Sequence, residues 1–193
     1  MVCLYGGFQG LELVSRLQAN LSAQGARRTL SPVRRWKLVT ADLLAGVTVQ
    51  CVAVVAVIFY IRLVLGIDFG PQLLPVLLTG VVGSLTGVAF GAMVAVTNRL
   101  AMMAKSAVLI SVTMVCCFLS GLMVGGINYM VMEHAPVVAW LNPAARITDA
   151  FYCLYYYDTY ERFFLNIGIL LLMAAAMFGV ATLSVRRQQY ESI

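Results

Sequence analysis

Apolar residues fall into four stretches of this chain that contain no Asp, Glu, Lys or Arg. The first lies between Asp42 and Arg62, the second between Asp68 and Arg99, the third between Lys105 and Glu133, and the fourth between Arg162 and Arg186. A helix rises about 1.5 Å per residue, so about 20 apolar residues cross a hydrocarbon core of about 30 Å. Inside lipid every backbone N–H and C=O must find a partner within its own segment, so such stretches fold as helices. A charge at mid-span costs roughly 2.5–3.5 kcal/mol, which makes charge-free windows the natural markers. The pattern predicts spans at about 43–65, 73–96, 106–127 and 163–185. The second and third runs exceed the need, so some of their residues tilt or leave the core.

Two other segments carry a helical period. In 8–21, FQGLELVSRLQANL, the residues Leu11, Val14, Leu17 and Leu21 share a face, with Glu12, Arg16 and Asn20 elsewhere on the wheel. This is an amphipathic helix, lying at an interface, docking a partner or leaning on its own spans. Between Asn128 and Glu161, Asn142 is a good N-cap and Pro143 suits the first helical position. Ile147, Ala150, Phe151, Leu154 and Tyr155 then line one face, while Arg146, Asp149 and Cys153 line the other. Trp140 and five nearby tyrosines resemble a head-group belt, so one or two outer interfacial helices are expected over about 136–158. The fold class is all-α: a polytopic membrane helical bundle of four transmembrane helices plus amphipathic interfacial helices.

Composition agrees. Hydrophobic residues make up 62% of the 193, and only 11% are charged, against roughly 25% in a soluble domain. The net charge of +5 sits in short segments between apolar runs, where it orients the chain and meets lipid head groups. No aromatic–basic platform for nucleic acid accompanies it. With four spans, ten of the thirteen basic residues fall on one side, leaving Arg62, Arg146 and Arg162 opposite. The positive-inside rule then places the protein in the cell membrane, multi-pass, with both termini cytoplasmic. Residues 1–41 become a cytoplasmic amphipathic and coupling segment, and 42–193 the transmembrane domain.

Further residues invite a role. Arg27, Arg28, Arg34, Arg35 and Lys37 flank Pro32, which breaks any helix there. They form either a topology anchor or a docking elbow for an acidic cytoplasmic partner. Gly83, Gly87 and Gly91 make a period-four ridge in the second span, and Gly121 and Gly125 repeat it in the third. Such ridges bring helix backbones together, within one subunit, at a dimer face or at a moving contact.

Other chemistry is sparse. No G-x-x-x-x-G-K-[ST] run occurs, so ATP hydrolysis by that route falls to another polypeptide. His134 is the sole histidine, and the five cysteines lack metal-ligand spacing. Met130, Met132, Glu133 and His134 would suit copper(I), but a methionine-rich chain produces such clusters by chance. No catalytic residue, cofactor or metal is expected. No charge lies in the interior of the spans, Arg62 falling at the end of the first, which disfavours coupling to an ion gradient.

The order of parts resembles the permease subunits of type-2 ABC transporters, an export family. The resemblance rests on YGGFQG at 5–10, RRTLSPVRRWKLVTADLLA at 27–45, WLNPAARITDAFYCLYYYD at 140–158 and LSVRRQQYE at 183–191. It covers nearly the whole chain. It implies that Arg27 to Lys37 is the coupling region for an ABC ATPase subunit. It also implies that Asn142, Pro143, Arg146 and Asp149 belong to short outer helices above the translocation path. A second permease copy or companion permease is implied as partner, with substrate passing between the two. Members of the family have six spans, of which this chain resembles the last four, and Met1–Gly7 resembles the cytoplasmic end of the span before them. The chain is then a fragment, a gene read from a late start, or half of a split permease. The alternative reading is a non-transporting membrane subunit that assembles or regulates another complex.

Overall fold

The computed structural model describes residues 2–17, 35–67, 72–97, 101–156 and 160–187. Eight helices occur among them, and no strand. They are α1 (Val2–Leu17), α2 (Arg35–Leu63), α3 (Leu73–Thr97), α4 (Met102–Leu119), α5 (Ile127–His134), α6 (Pro136–Leu141), α7 (Pro143–Tyr156) and α8 (Glu161–Arg187). Four of them, α2, α3, α4 and α8, are long and apolar enough to cross a membrane. They alternate in direction. The end where α2 and α4 finish and α3 and α8 start is called the far end below.

Helix α3 is the centre of the bundle. Of its most apolar stretch 61% is buried, against 17% in α4, 22% in α2 and 33% in α8. Those three peripheral spans therefore leave apolar faces such as Val52, Phe59, Val115 and Leu172 for lipid or partner helices. The buried hydroxyls of α3 are satisfied along the helix itself: Thr79 donates to the carbonyl of Pro75, Ser84 to Gly80 and Thr86 to Val82. This is how polar side chains are tolerated in an anhydrous core.

The tightest contact joins α1 to α3. Their backbones touch at glycines: a Cβ on Gly87 would lie 2.1 Å from the Cys3 carbonyl oxygen, and one on Gly91 only 1.8 Å from that of Gly7. The relation is mutual, since a Cβ on Gly10 would lie 2.1 Å from the Val88 oxygen. The third glycine of the ridge, Gly83, faces the Cys3 and Ile147 side chains at 3.1–3.2 Å. Cys3 thus meets Gly83 and Gly87, Gly7 meets Gly91, and the two helices run in the same direction. Residues 8–21 were expected as an amphipathic helix. The structure starts that helix earlier, at Val2, and lays its glycine face along the middle and near half of α3. Of the expected apolar face, Leu11 and Val14 are buried, and Leu21 lies outside the described residues; the apolar period missed Gly6, Gly7 and Gly10, because a packing face made of absent side chains has no hydrophobic signal.

Helix α4 is shorter than the run that encodes it. It ends at Leu119, not near 127, and Gly121 is the reason. Its φ of +78° is the left-handed conformation that terminates helices. The N–H of Leu122 bonds the Cys117 carbonyl at 3.2 Å and that of Gly121 bonds Phe118 at 3.1 Å, a Schellman closure. Gly121 is therefore a helix stop, and Gly125 lies in the following turn with open space where a Cβ would be. Neither belongs to a helix-packing ridge. Leu4 and Cys117 line one small cavity, and the neighbouring Cys3 abuts Gly83. Helix α4 thus stops level with Gly83, about 15 Å from the start of α3 at 1.5 Å per residue.

Lys105, expected in a cytoplasmic loop, lies in the first turn of α4 and is fully buried. Its Nζ donates to the Ala95 carbonyl at 2.8 Å. A cation placed against the last carbonyls of α3 meets the negative end of that helix, which compensates its burial.

The seam makes a prediction with a built-in control. Gly87→Ala should destabilise the protein by about 1–3 kcal/mol, because its methyl must displace backbone. Gly179→Ala, with nothing within 4 Å, should be neutral or gain up to about 1 kcal/mol. Thermal unfolding in detergent measures both, and equal melting temperatures would contradict the seam.

Candidate functional site

The far end is occupied by α7, which stands between α4 and α8. Its entry is fixed by Asn142, in extended backbone between α6 and α7. The Asn142 side-chain oxygen accepts from the N–H of Ala144 at 3.0 Å and of Ala145 at 3.4 Å. Pro143 occupies the first helical position, where a missing N–H costs nothing. The amide nitrogen of Asn142 donates to the Cys116 carbonyl at 2.8 Å. One buried side chain therefore caps the start of α7 and holds it to the last turn of α4.

The polar face of α7 is turned against α8. Arg146 is 3% exposed, and its guanidinium donates to the Asn166 side-chain oxygen at 2.9 Å. Asn166 passes the connection on, donating to Asp149 at 2.8 Å. Asp149 also receives two hydrogen bonds from Arg162, both 3.1 Å, in a fork-to-fork pair. Arg146 itself stands 3.8 Å from Asp149, and Trp140 from α6 covers its guanidinium face at 4.5 Å. Burial pulls the Arg146 guanidinium below its ordinary value, and Asp149 opposes that shift. An arginine remains charged in such a setting, so the charge must be held by Asn166, Trp140 and Asp149 together.

The structure brings Asn142, Pro143, Arg146 and Asp149 together at the start of one helix. The sequence did not single out Asn166, Arg162 or Trp140 as their partners. Arg162 and Asn166 are four residues apart and share a face of α8; that spacing was the available signal. Of the basic elbow, Arg27, Arg28 and Arg34 lie outside the described residues. Arg35 opens α2, and Lys37 is exposed in its first turn. The arrangement at α7 has the character of a clasp: it fixes a short helix to two spans and offers no nucleophile paired with a base.

The bonds of the clasp should not be equal. The buried Arg146–Asn166 pair should show a coupling of about 1.5–3 kcal/mol in a double-mutant cycle with Arg146→Met and Asn166→Leu. The Asp149–Arg162 pair, with Arg162 44% exposed, should give about 1 kcal/mol or less. Asn142→Ser keeps the cap and loses the bond to Cys116, so it should cost less than Asn142→Ala, which loses both. Unfolding of the purified variants ranks them, and a reversed order would refute these assignments.

No curated protein and no solved structure matches the chain. The model of one family does, described as ABC-2 family transporter protein, and its match runs over residues 1–183. That span takes in the glycine seam, the α7 clasp and the four helices long and apolar enough to cross a membrane, α8 as far as Leu183. The chain belongs to the ABC-2 transporter family, and is a multi-pass membrane permease of an ABC transporter.

Proposed function

We propose that the chain is the transmembrane permease part of an ATP-driven exporter, working with a separate ATPase subunit and with a second permease copy or companion. The family match over residues 1–183 carries this reading. The apolar faces that α2 and α4 leave unburied are suited to companion helices. No phosphate-cradling motif occurs in the sequence, so the energy must enter from a partner.

The charge distribution supports one direction. Arg35 and Lys37 open α2 at the near end, and the remaining elbow arginines precede them. The near end is then cytoplasmic, and the elbow is where the ATPase docks. The α7 clasp lies at the opposite, outer end. In this reading α7 is the outer closure of the path, held to α4 by Asn142 and to α8 by Arg146 and Asp149. Opening requires one of those two attachments to yield. The Asn142 bond is the smaller obstacle, since it is a single neutral hydrogen bond.

Arg34→Glu combined with Arg35→Glu should reduce co-purification of the ATPase subunit by about tenfold, as opposed charges become like charges at the contact. A topology reporter on the C-terminus separates lost docking from an inverted first span. Full ATPase recovery with unchanged topology would overturn the elbow assignment. Absence of any ATP-dependent transport in the reconstituted complete assembly would overturn the exporter reading itself.

A further inference from the structure

The face of α7 turned away from the clasp borders an open cavity of about 650 Å³, a size typical of small-molecule sites. Its inner part is apolar: Leu4 of α1, Leu122 after the α4 stop, and Ile147 and Phe151 of α7. Its outer part is a group of tyrosines, Tyr152, Tyr155 and Tyr156. Tyr152 and Tyr156 lie 5.9 Å apart between ring centroids, and all three tyrosines are about half exposed or more. Among the described residues, no charged side chain lines the cavity. The nearby cations Arg146 and Arg162 are engaged with Asn166 and Asp149 on the other face of the helix.

Depth makes this gradient meaningful. Ile147 packs against Gly83, which is about 15 Å along α3 from its start, so the apolar part lies at hydrocarbon depth. Tyr155 is two turns further along α7, about 12 Å along that helix, towards the end from which the chain enters α8. The cavity therefore runs from a lipid-like interior to a hydroxyl-bearing aromatic mouth.

We propose that this cavity binds a membrane amphiphile, tail inward against Ile147 and Phe151, with a head that carries no net negative charge. Tyrosine ring faces are negative and attract cationic or C–H-rich groups, and the hydroxyls hydrogen-bond to neutral heads. An anionic head would meet those faces with no basic partner among the described lining residues. The proposal rests on the permease reading in one respect: it makes a neutral or zwitterionic amphiphile the class of cargo. Binding itself stands apart from ATP-driven movement.

The test uses the full chain in vesicles of mixed choline and phosphoglycerol lipids, without ATP or an ATPase. Trace photoreactive lipids with one tail type carry a choline, a glucosyl or a phosphoglycerol head. The peptide 143–156 should be labelled about fivefold more by the choline or glucosyl probe than by the phosphoglycerol probe, the ratio expected of one exposed aromatic contact. Thr148→Trp, which fills the cavity from its wall, should reduce that labelling to background. Tyr155→Leu, at an exposed position, should keep tail labelling and lose the head preference. Equal labelling by all three heads, preference for the anionic head, or full labelling of Thr148→Trp would each overturn the proposal. Failure of ATP-driven transport with labelling intact would instead strike only the exporter reading.

Discussion

The structure depends on a contact between two backbones. Where α1 crosses α3, no room exists for side chains on either helix at Gly87, Gly91 or Gly10. Lipid tails are as apolar as leucine, so burial of apolar surface gives little drive for helices to associate in a membrane. What remains is van der Waals contact, which falls off steeply with distance. Close approach maximises it and permits Cα–H to carbonyl contacts as well. With α1 seated against it, α3 becomes the most buried helix and the surface against which α2 and α8 are set. The same seam places Leu4 beside Cys117 and Cys3 beside Gly83, so it also positions the wall of the far-end cavity.

The early stop of α4 creates the space that α7 fills. Asn142 bonds the Cys116 carbonyl in the last turn before that stop. Gly121 ends the helix, a turn follows, and α7 takes its place with one polar face and one apolar face. The polar face cannot meet lipid, and it is matched by Asn166 and Arg162 of α8. Breaking this match would leave unpaired a buried guanidinium whose Nε already lacks a partner among the described residues, so the α8 attachment is the stiff one. The opposite face is left lining a cavity that grades from apolar to aromatic.

Much of this was legible in the residues. Charge-free runs gave four spans because the cost of charge in lipid is large compared with any local propensity. The N-cap at Asn142 and the proline after it were readable because they are local chemistry. The ridge of Gly83, Gly87 and Gly91 was visible by its period, although which helix would fill it was not. Gly121 had the same period as its companion Gly125 and was read with it as a ridge; a helix-stop glycine and a packing glycine differ in φ, which no spacing reveals.

The sequence by itself determined solvent, helix content and the number of spans, since those follow from transfer energies summed along the chain. Only the tertiary structure decided that α1 lies inside the bundle, that Lys105 is buried against the end of α3, and that Arg146 reaches Asn166. Each is a pairing between residues far apart in the chain, chosen by whether two surfaces fit. Fit depends on shape at the scale of a single methyl group, and composition averages that scale away.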